Sequence, residues 1–551
     1  MKKVLVLILV VLMMFSSTAL AYNVSEPGVI PVVDEVVEYT IVAPDTTYIG
    51  DLNENTLTAW IAEKTNVQLV FQEIPDTEWD TKVNLLIASD ELPDAFIYGG
   101  FTAAELADYG SQGVFMAMND IIEEHGYYTK QVFEQQDKLP GAYTALDGKM
   151  YTLPDINECY HCFYSMRAWI NQTWLDNLGL EYPNTLEELC EVLRAFKEQD
   201  ANGNGDATDE IPFLYAAGYE AVERPLLSAY GIHTSESVYI LQADADGKVY
   251  LANTTDAYKE YLKWMASAFA DGLIEPEAYV IEANTITERA SADRYGFYGC
   301  GSAPYVVAQQ SIDYDKNFIG IAGLTSEYNE TPTAGKASVV STAIRVAIND
   351  ISPYKEALVR MMDYMYTDEG ELAGTFGKDG QTFDWQHNDI LDVDVPKMRV
   401  FDDCASGEET RYKYATLNGT LALIEWNNDR RALFTAPIED VQSDEILNEY
   451  GWAALVALAV REDGIQQVDC FPKLSYTAEE ANERATLRAD LENYLKQAKA
   501  QFMTGEIDVE EGWDNFVNTV NGMGLERLIE IEQAAYDRYM AVAQGDAESA
   551  A

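Results

Sequence analysis

Residues Asp200 to Pro212 read D-A-N-G-N-G-D-A-T-D-E-I-P, with oxygen-bearing side chains at every second position: Asp200, Asn202, Asn204 and Asp206. Gly203 and Gly205 lie between them and let the backbone curl. Alternating carboxylate and amide oxygens on a tight loop suit a hard cation, and Ca²⁺ accepts irregular all-oxygen shells. Counted as an EF-hand-type loop, Asp200, Asn202 and Asn204 fall at the first three ligand positions. Gly205 falls at the turn glycine and Asp206 at the position that ligates by its carbonyl. The closing position is Ile211, so Asp209 and Glu210 must supply the closing acid. The alternative is a solvated Asx/Gly turn that needs no metal.

Other chemistries find less support. Cys159-Tyr160-His161-Cys162 is the one close cysteine pair among six, and four histidines in the whole chain leave little for a zinc site. A local structural disulfide is the expected reading, with free buried thiols as the alternative. No G-x-S-x-G, H-E-x-x-H or Walker sequence occurs. A secreted glycoside hydrolase needs two facing carboxylates. With 93 acidic residues some pair always looks suitable, so that signal carries no weight and a non-enzyme is expected. Tyrosine is abundant, 35 against 19 Phe and 9 Trp. A flat ring with a polar tip suits sugar C–H faces and hydroxyls. Candidate ligand contacts near strand ends or in Gly-flanked loops are Tyr98, Tyr164, Trp169, Tyr298 and Trp385, each with an ordinary core role as its alternative.

The formal charge is -57. A field of that sign repels nucleic acid and anionic membranes and gathers cations. Lys2 and Lys3, the apolar run Val4 to Phe15 and the small residues Ala19-Leu20-Ala21 read as a secretory signal peptide, 1–21. The expectation is export as a monomer without membrane insertion. No cysteine stands at the cleavage site for a lipid anchor.

These residues need elements to hold them. Thr185 with Glu188 forms a capping box, and Leu186, Leu189, Cys190, Leu193 and Phe196 make one apolar stripe, so the Asp200 loop follows a helix. Residues 22–37 lack periodicity and read as a tether. Strands at 38–43, 67–74 and 95–98 alternate with helices at 57–64 and 78–89, which implies a parallel α/β sheet. Asp147-Gly148 marks a hairpin, Ser352-Pro353 a helix start, and Thr477 with Glu480 the start of a long helix to Met503. Residues 541–551 form a small polar tail.

Leu92-Pro93-Asp94, the C-Y-H-C segment leading to Trp169-Ile170-Asn171, the Asp200 loop, and Phe502 to Asp508, Trp513 to Asn518 and Ala534 to Tyr539 occur in a telling order. Together they resemble the extracellular solute-binding proteins of bacterial ABC importers, in the subgroup of alginate-oligosaccharide-binding and LipO-like sugar-binding proteins. The resemblance implies a two-lobed periplasmic-binding-protein type II fold with crossing strands as hinge. It implies lobe 1 at 38–157 plus 292–345 and lobe 2 at 158–291 plus 346–540. It also implies a structural Ca²⁺ on Asp200, Asn202, Asn204, the Asp206 carbonyl and the pair Asp209-Glu210, displaced here by the extra Thr208. The partners implied are an oligosaccharide and an ABC permease. A receptor of the same fold for a peptide or other small ligand is the alternative.

Overall fold

The computed structural model describes residues 22–45, 50–89, 92–97, 101, 103–136, 139–145, 147–153, 155–156, 168–301, 303, 306, 317–336, 340–341, 346–415, 432–433, 435–450, 454–458 and 464–543. The signal segment, Tyr98, Tyr164, the C-Y-H-C pair and residues 544–551 lie outside them.

Strand β1 (Val37–Asp45), helix α1 (Thr56–Thr65), β2 (Val67–Pro75), α2 (Trp79–Ala88) and β3 (Ala95–Ile97) open the fold. The three strands are parallel, with Val37 opposite Val67 and Ile41 opposite Ala95. β3 is buried throughout, as its unbroken apolar A-F-I run requires. Asn55 caps α1 by accepting the Leu57 N–H, and Asn66 ends it in the left-handed conformation at φ 59°.

The two-residue strand β4 (Asp155–Ile156) leads toward a second sheet. Its elements are β5 (Ala168–Asn171), α3 (Gln172–Leu178), α4 (Leu186–Glu198), β6 (Ile211–Leu214), α5 (Glu223–Ser228), α6 (Asp256–Ala270), β7 (Tyr295–Gly299) and β8 (Phe318–Ile321). The strand order is β8-β5-β7-β6, with β5 antiparallel to both neighbours and β6 parallel to β7. The α4 capping box forms as its sequence predicts.

Strands β9 (Thr333–Lys336), β10 (Val340–Ser341) and β11 (Val346–Ile348) bring the chain back. β11 joins the first sheet antiparallel to β3, giving the order β11-β3-β1-β2. β10 pairs antiparallel with β4, so the outward and return passages lie side by side. Helix α7 (Lys355–Tyr364) and the hairpin of β12 (Phe383–Asn388) and β13 (Val393–Met398) follow. β14 (Gln466–Asp469) pairs parallel with β9. Helices α8 (Ala478–Met503), α9 (Val509–Val520) and α10 (Glu526–Ala543) close the described chain.

Each sheet has its own core. Ile41, Leu69, Ile97, Val346, Leu358 and Met362 belong to one; Ile170, Phe196, Phe213, Phe297, Leu495 and Trp513 belong to the other. Segments 292–345 and 346–376 thereby exchange places relative to the expected lobes. β7 and β8 sit in the second sheet, and β11 with α7 sits on the first. Aromatic and β-branched residues mark β7 and β11 as strands, each buried at every position, but which sheet each joins depends on long-range pairing.

Two local expectations change for identifiable reasons. Residues 22–36 are a docked arm, with Val32 and Val33 fully buried. The Arg360 guanidinium, itself buried, donates to the carbonyls of Ser25 at 2.5 Å, Glu26 at 2.8 Å and Val29 at 3.1 Å. Ser352 does not cap α7. Its hydroxyl donates to Asp94 Oδ1 at 2.6 Å, and Tyr354 holds the cap at φ 60°. Asp94 Oδ2 also accepts the Thr40 N–H at 2.8 Å, so Leu92-Pro93-Asp94 ties β1, β3 and the segment after β11 together.

The second lobe buries a charged pair. Lys499 Nζ lies 2.9 Å from both oxygens of Glu223, and Tyr261 donates to Glu223 Oε1 at 2.5 Å. Burial is the largest single influence on the Lys499 ammonium and pushes it down, but Glu223, Tyr215 and Tyr258 together outweigh it and the net shift is upward. Removing one partner strands the other charge, so Lys499→Met should cost about 3–5 kcal/mol in urea unfolding. Lys499→Met with Glu223→Gln should recover much of that loss.

Candidate functional site

In an open α/β sheet a ligand binds beyond the carboxyl ends of the strands. In the first sheet those ends are Asp45, Pro75 and Ile97, with Val346 of β11 opposite Ile97. In the second they are Leu214, Gly299 and Ile321. Ala168, the first residue of β5, stands opposite both Gly299 and Ile321. The chain leaves β4 to enter β5 at Ala168, and leaves β10 to enter β11 at Val346. Both passages therefore attach at the ends where such sheets bind ligands, and the paired strands β4 and β10 lie on the two passages that link the sheets.

At the first sheet's end, Phe101 is half-buried in a ring cluster, 5.5 Å from Phe96 and 5.1 Å from Phe115. At the second, Trp169 and Tyr298 are fully buried. Trp169 Nε1 donates to the Cys300 carbonyl at 3.1 Å, and Tyr298 donates to the Ala303 carbonyl at 2.9 Å. Both rings brace the turn after β7 from beneath and present no face to solvent. Trp385 is 45% exposed and packs edge-on against Phe383 at 5.8 Å. Its hairpin is joined to the first lobe through the Phe376–Phe383 contact and the Lys378–Glu63 ion pair.

Sequence reasoning passed over Tyr219. It follows Gly218, at φ 85°, in the loop leaving β6, and it sits beside Cys300 with its hydroxyl pushed up to about 12 by burial. The signal was present: a Gly-flanked tyrosine just past an apolar strand. Gly299 explains why this loop comes so close. A Cβ there would lie 2.0 Å from the Val222 nitrogen, so only glycine admits the approach.

The Asp200 loop lies at the opposite end of the second sheet. Asp293, at φ 52° just before β7, accepts from Asn171 and Trp174 at 3.1 and 3.2 Å, and its carbonyl accepts from Asn202 at 3.3 Å. Arg294 Nε donates to the Asp209 carbonyl at 2.7 Å. Within the loop, Asn202 Oδ1 accepts the Asn204 N–H and Asn204 Oδ1 accepts the Asp206 N–H, at 3.0 and 2.7 Å. The two Nδ2 groups donate to Asp209. Glu210 Oε1 accepts the Ala201 N–H at 2.9 Å, and Asp200 Oδ2 accepts the Gly205 N–H at 2.9 Å. Their other oxygens, Glu210 Oε2 and Asp200 Oδ1, are buried without a donor. Two stranded carboxylate oxygens on one loop fit a cation's needs. Among the described residues no three His, Cys, Asp or Glu side chains converge as a metal site of those residues alone would require. Asp206 instead turns its carboxylate to Thr208 at 2.6 Å.

Two α/β lobes linked by paired crossing strands, with both sets of sheet ends turned to the crossing, define a two-lobed binding-protein architecture. The chain belongs to the bacterial extracellular solute-binding proteins, a family that matches residues 48–372. It is 27% identical over 512 residues to the fructooligosaccharide ABC transporter substrate-binding protein FusA of Streptococcus pneumoniae, covering 89% of this chain and 88% of that one. A solved FusA EF-hand mutant in complex with fructo-nystose superposes with TM-score 0.66 at 21% identity, covering 92% of this chain and all of that one. A solute-binding protein of Bifidobacterium longum infantis that binds HMO superposes with TM-score 0.67 at 19% identity, covering 92% and 99%. No helix among the described residues is long and apolar enough to cross a membrane.

His233 stands beside this end of the second lobe, its Nε2 2.8 Å from Thr333 Oγ1 on β9. Burial holds its pKa below the ordinary 6.5. The unfolded chain therefore takes up this proton first, and stability falls as pH drops from about 6.5 toward the lower folded value. His233→Gln should flatten that part of the stability–pH profile, measured by urea unfolding between pH 7 and 5.

Proposed function

We propose that this chain is the exported substrate-binding component of an ABC transporter. It captures an oligosaccharide by lobe closure and delivers it unaltered to a membrane permease. The observation that carries this reading is the β4–β10 pair, set between the carboxyl ends of two sheets in a chain related along most of its length to an oligosaccharide receptor. A ligand touching both lobes favours the closed arrangement by its differential affinity. Phe101, Tyr219 and Trp385 are the aromatic groups offered to it, with Trp169 and Tyr298 supporting the turn behind; Tyr98 and Tyr164 stay candidates on sequence grounds alone. Isothermal titration against fructo-nystose, with uronic-acid oligomers as comparison, should give a Kd of ~1 μM or tighter for one class. Chromatography should recover the sugar intact. Cleavage of the sugar would make the chain a hydrolase and end this reading.

The Asp200 loop would hold Ca²⁺ through Asp200, Asn202, Asn204, the Asp206 carbonyl, Asp209 and Glu210. The stranded oxygens of Asp200 and Glu210 support this, as does a relative described by its EF-hand. The ion supplies positive charge to a loop of clustered carboxylates at the end of the lobe away from the cleft. Ligand present at 100 times its Kd stabilises by about 2.7 kcal/mol. Chelation with EDTA should therefore lower Tm by several degrees while the sugar's Kd moves less than about threefold. A melting curve indifferent to EDTA and to added Ca²⁺ removes the ion from the account.

A further inference from the structure

Gln467 is alone among the described residues in having both the donor and the acceptor of one side chain buried without a partner. Leaving both ends of a carboxamide unpaired is costly, and such a group calls for a reason. Its placement supplies one. β14 pairs with β9, and Gln467 stands opposite Ala334. The pleat puts it on the same face as Ile465, two residues back, and both Ile465 and Ala334 belong to the cluster that holds Trp169, Tyr298, Cys300 and Ala322. Cys300 and Ala322 directly follow β7 and β8 at their carboxyl ends. The amide thus sits at the ligand end of the second sheet, two residues along β9 from the Lys336 end that leads into the crossing strand β10.

We propose that Gln467 is a ligand-specificity residue, whose amide pairs with neighbouring hydroxyls of a neutral sugar when the lobes rotate about the β4–β10 hinge. The inference rests on the receptor reading above and deepens it. A carboxamide offers one donor and one acceptor side by side and carries no charge. It matches a vicinal diol, in which one hydroxyl accepts and the next donates. A uronate whose carboxylate took that position would offer acceptors only and leave Oε1 unpaired.

The test measures Tm and Kd for the wild-type protein, Gln467→Leu and Gln467→Met, with fructo-nystose and a uronic-acid trimer as probes. Either apolar variant removes an orphaned polar group, so Tm should hold or rise, while the Kd for fructo-nystose weakens about tenfold or more. The methionine variant serves if leucine's branched end disturbs packing. A Kd within twofold of wild type in a folded variant overturns the inference and leaves the receptor reading intact. Wild-type protein that binds the uronate trimer and not fructo-nystose overturns the neutral-diol assignment alone. Wild-type protein that binds neither probe defeats the oligosaccharide reading, and the role of Gln467 falls with it.

Discussion

Two residue pairs, Val340 with Ile156 and Ser341 with Asp155, decide what the rest of the molecule can do. With them, the outgoing and returning chain form one antiparallel ribbon, and both passages attach where their strands' carboxyl ends lie. Strand direction then does the remainder. β1, β2 and β3 point one set of ends to the ribbon, and β6, β7 and β8 point another. A short ribbon bends more readily than a packed sheet deforms, which is what a hinge between lobes requires.

Electrostatics works on two scales. The overall charge is strongly negative, yet a few basic side chains are committed to the interior. Lys499 answers Glu223, Arg289 answers Glu275 and Arg484 answers Glu532, each carboxylate being almost or wholly buried. Glu223 begins α5, directly after the loop that carries Tyr219, while Lys499 and Arg484 lie on α8. The long carboxyl-terminal helix is therefore locked to the ligand end of the second lobe by charge as well as by Leu495 and Phe502. Exposed acids such as Glu63, Asp384 and Glu510 also meet a lysine or arginine, but at solvated positions such pairs add little, and the excess of acids mainly keeps the surface hydrated.

What could be read from the sequence was local. The capping boxes at Thr185 and Thr477, the alternation of β2 and the Asx-rich loop after α4 all rest on near neighbours. What could not be read was long-range. Nothing in Y-G-F-Y-G says that β7 slots between β5 and β6, and nothing in V-A-I says that β11 returns to β3. The arm before β1 was illegible for the same reason: its anchor, Arg360, lies more than three hundred residues away. Trp169 and Tyr298 looked suitable for a sugar because ring type is visible in a sequence, whereas the direction a ring faces is set by the sheet around it. Gln467 was invisible because an amide's lack of partners exists only in three dimensions.

The docked arm changes how this molecule would carry load. A slack leader transmits no torque, so whatever held it could not set the attitude of the body behind. Here Tyr22 bonds to the Tyr354 carbonyl, Val32 and Val33 are sunk in the core, and Arg360 grips three carbonyls between them. A pull on the amino end is therefore passed straight to α7 and the first sheet.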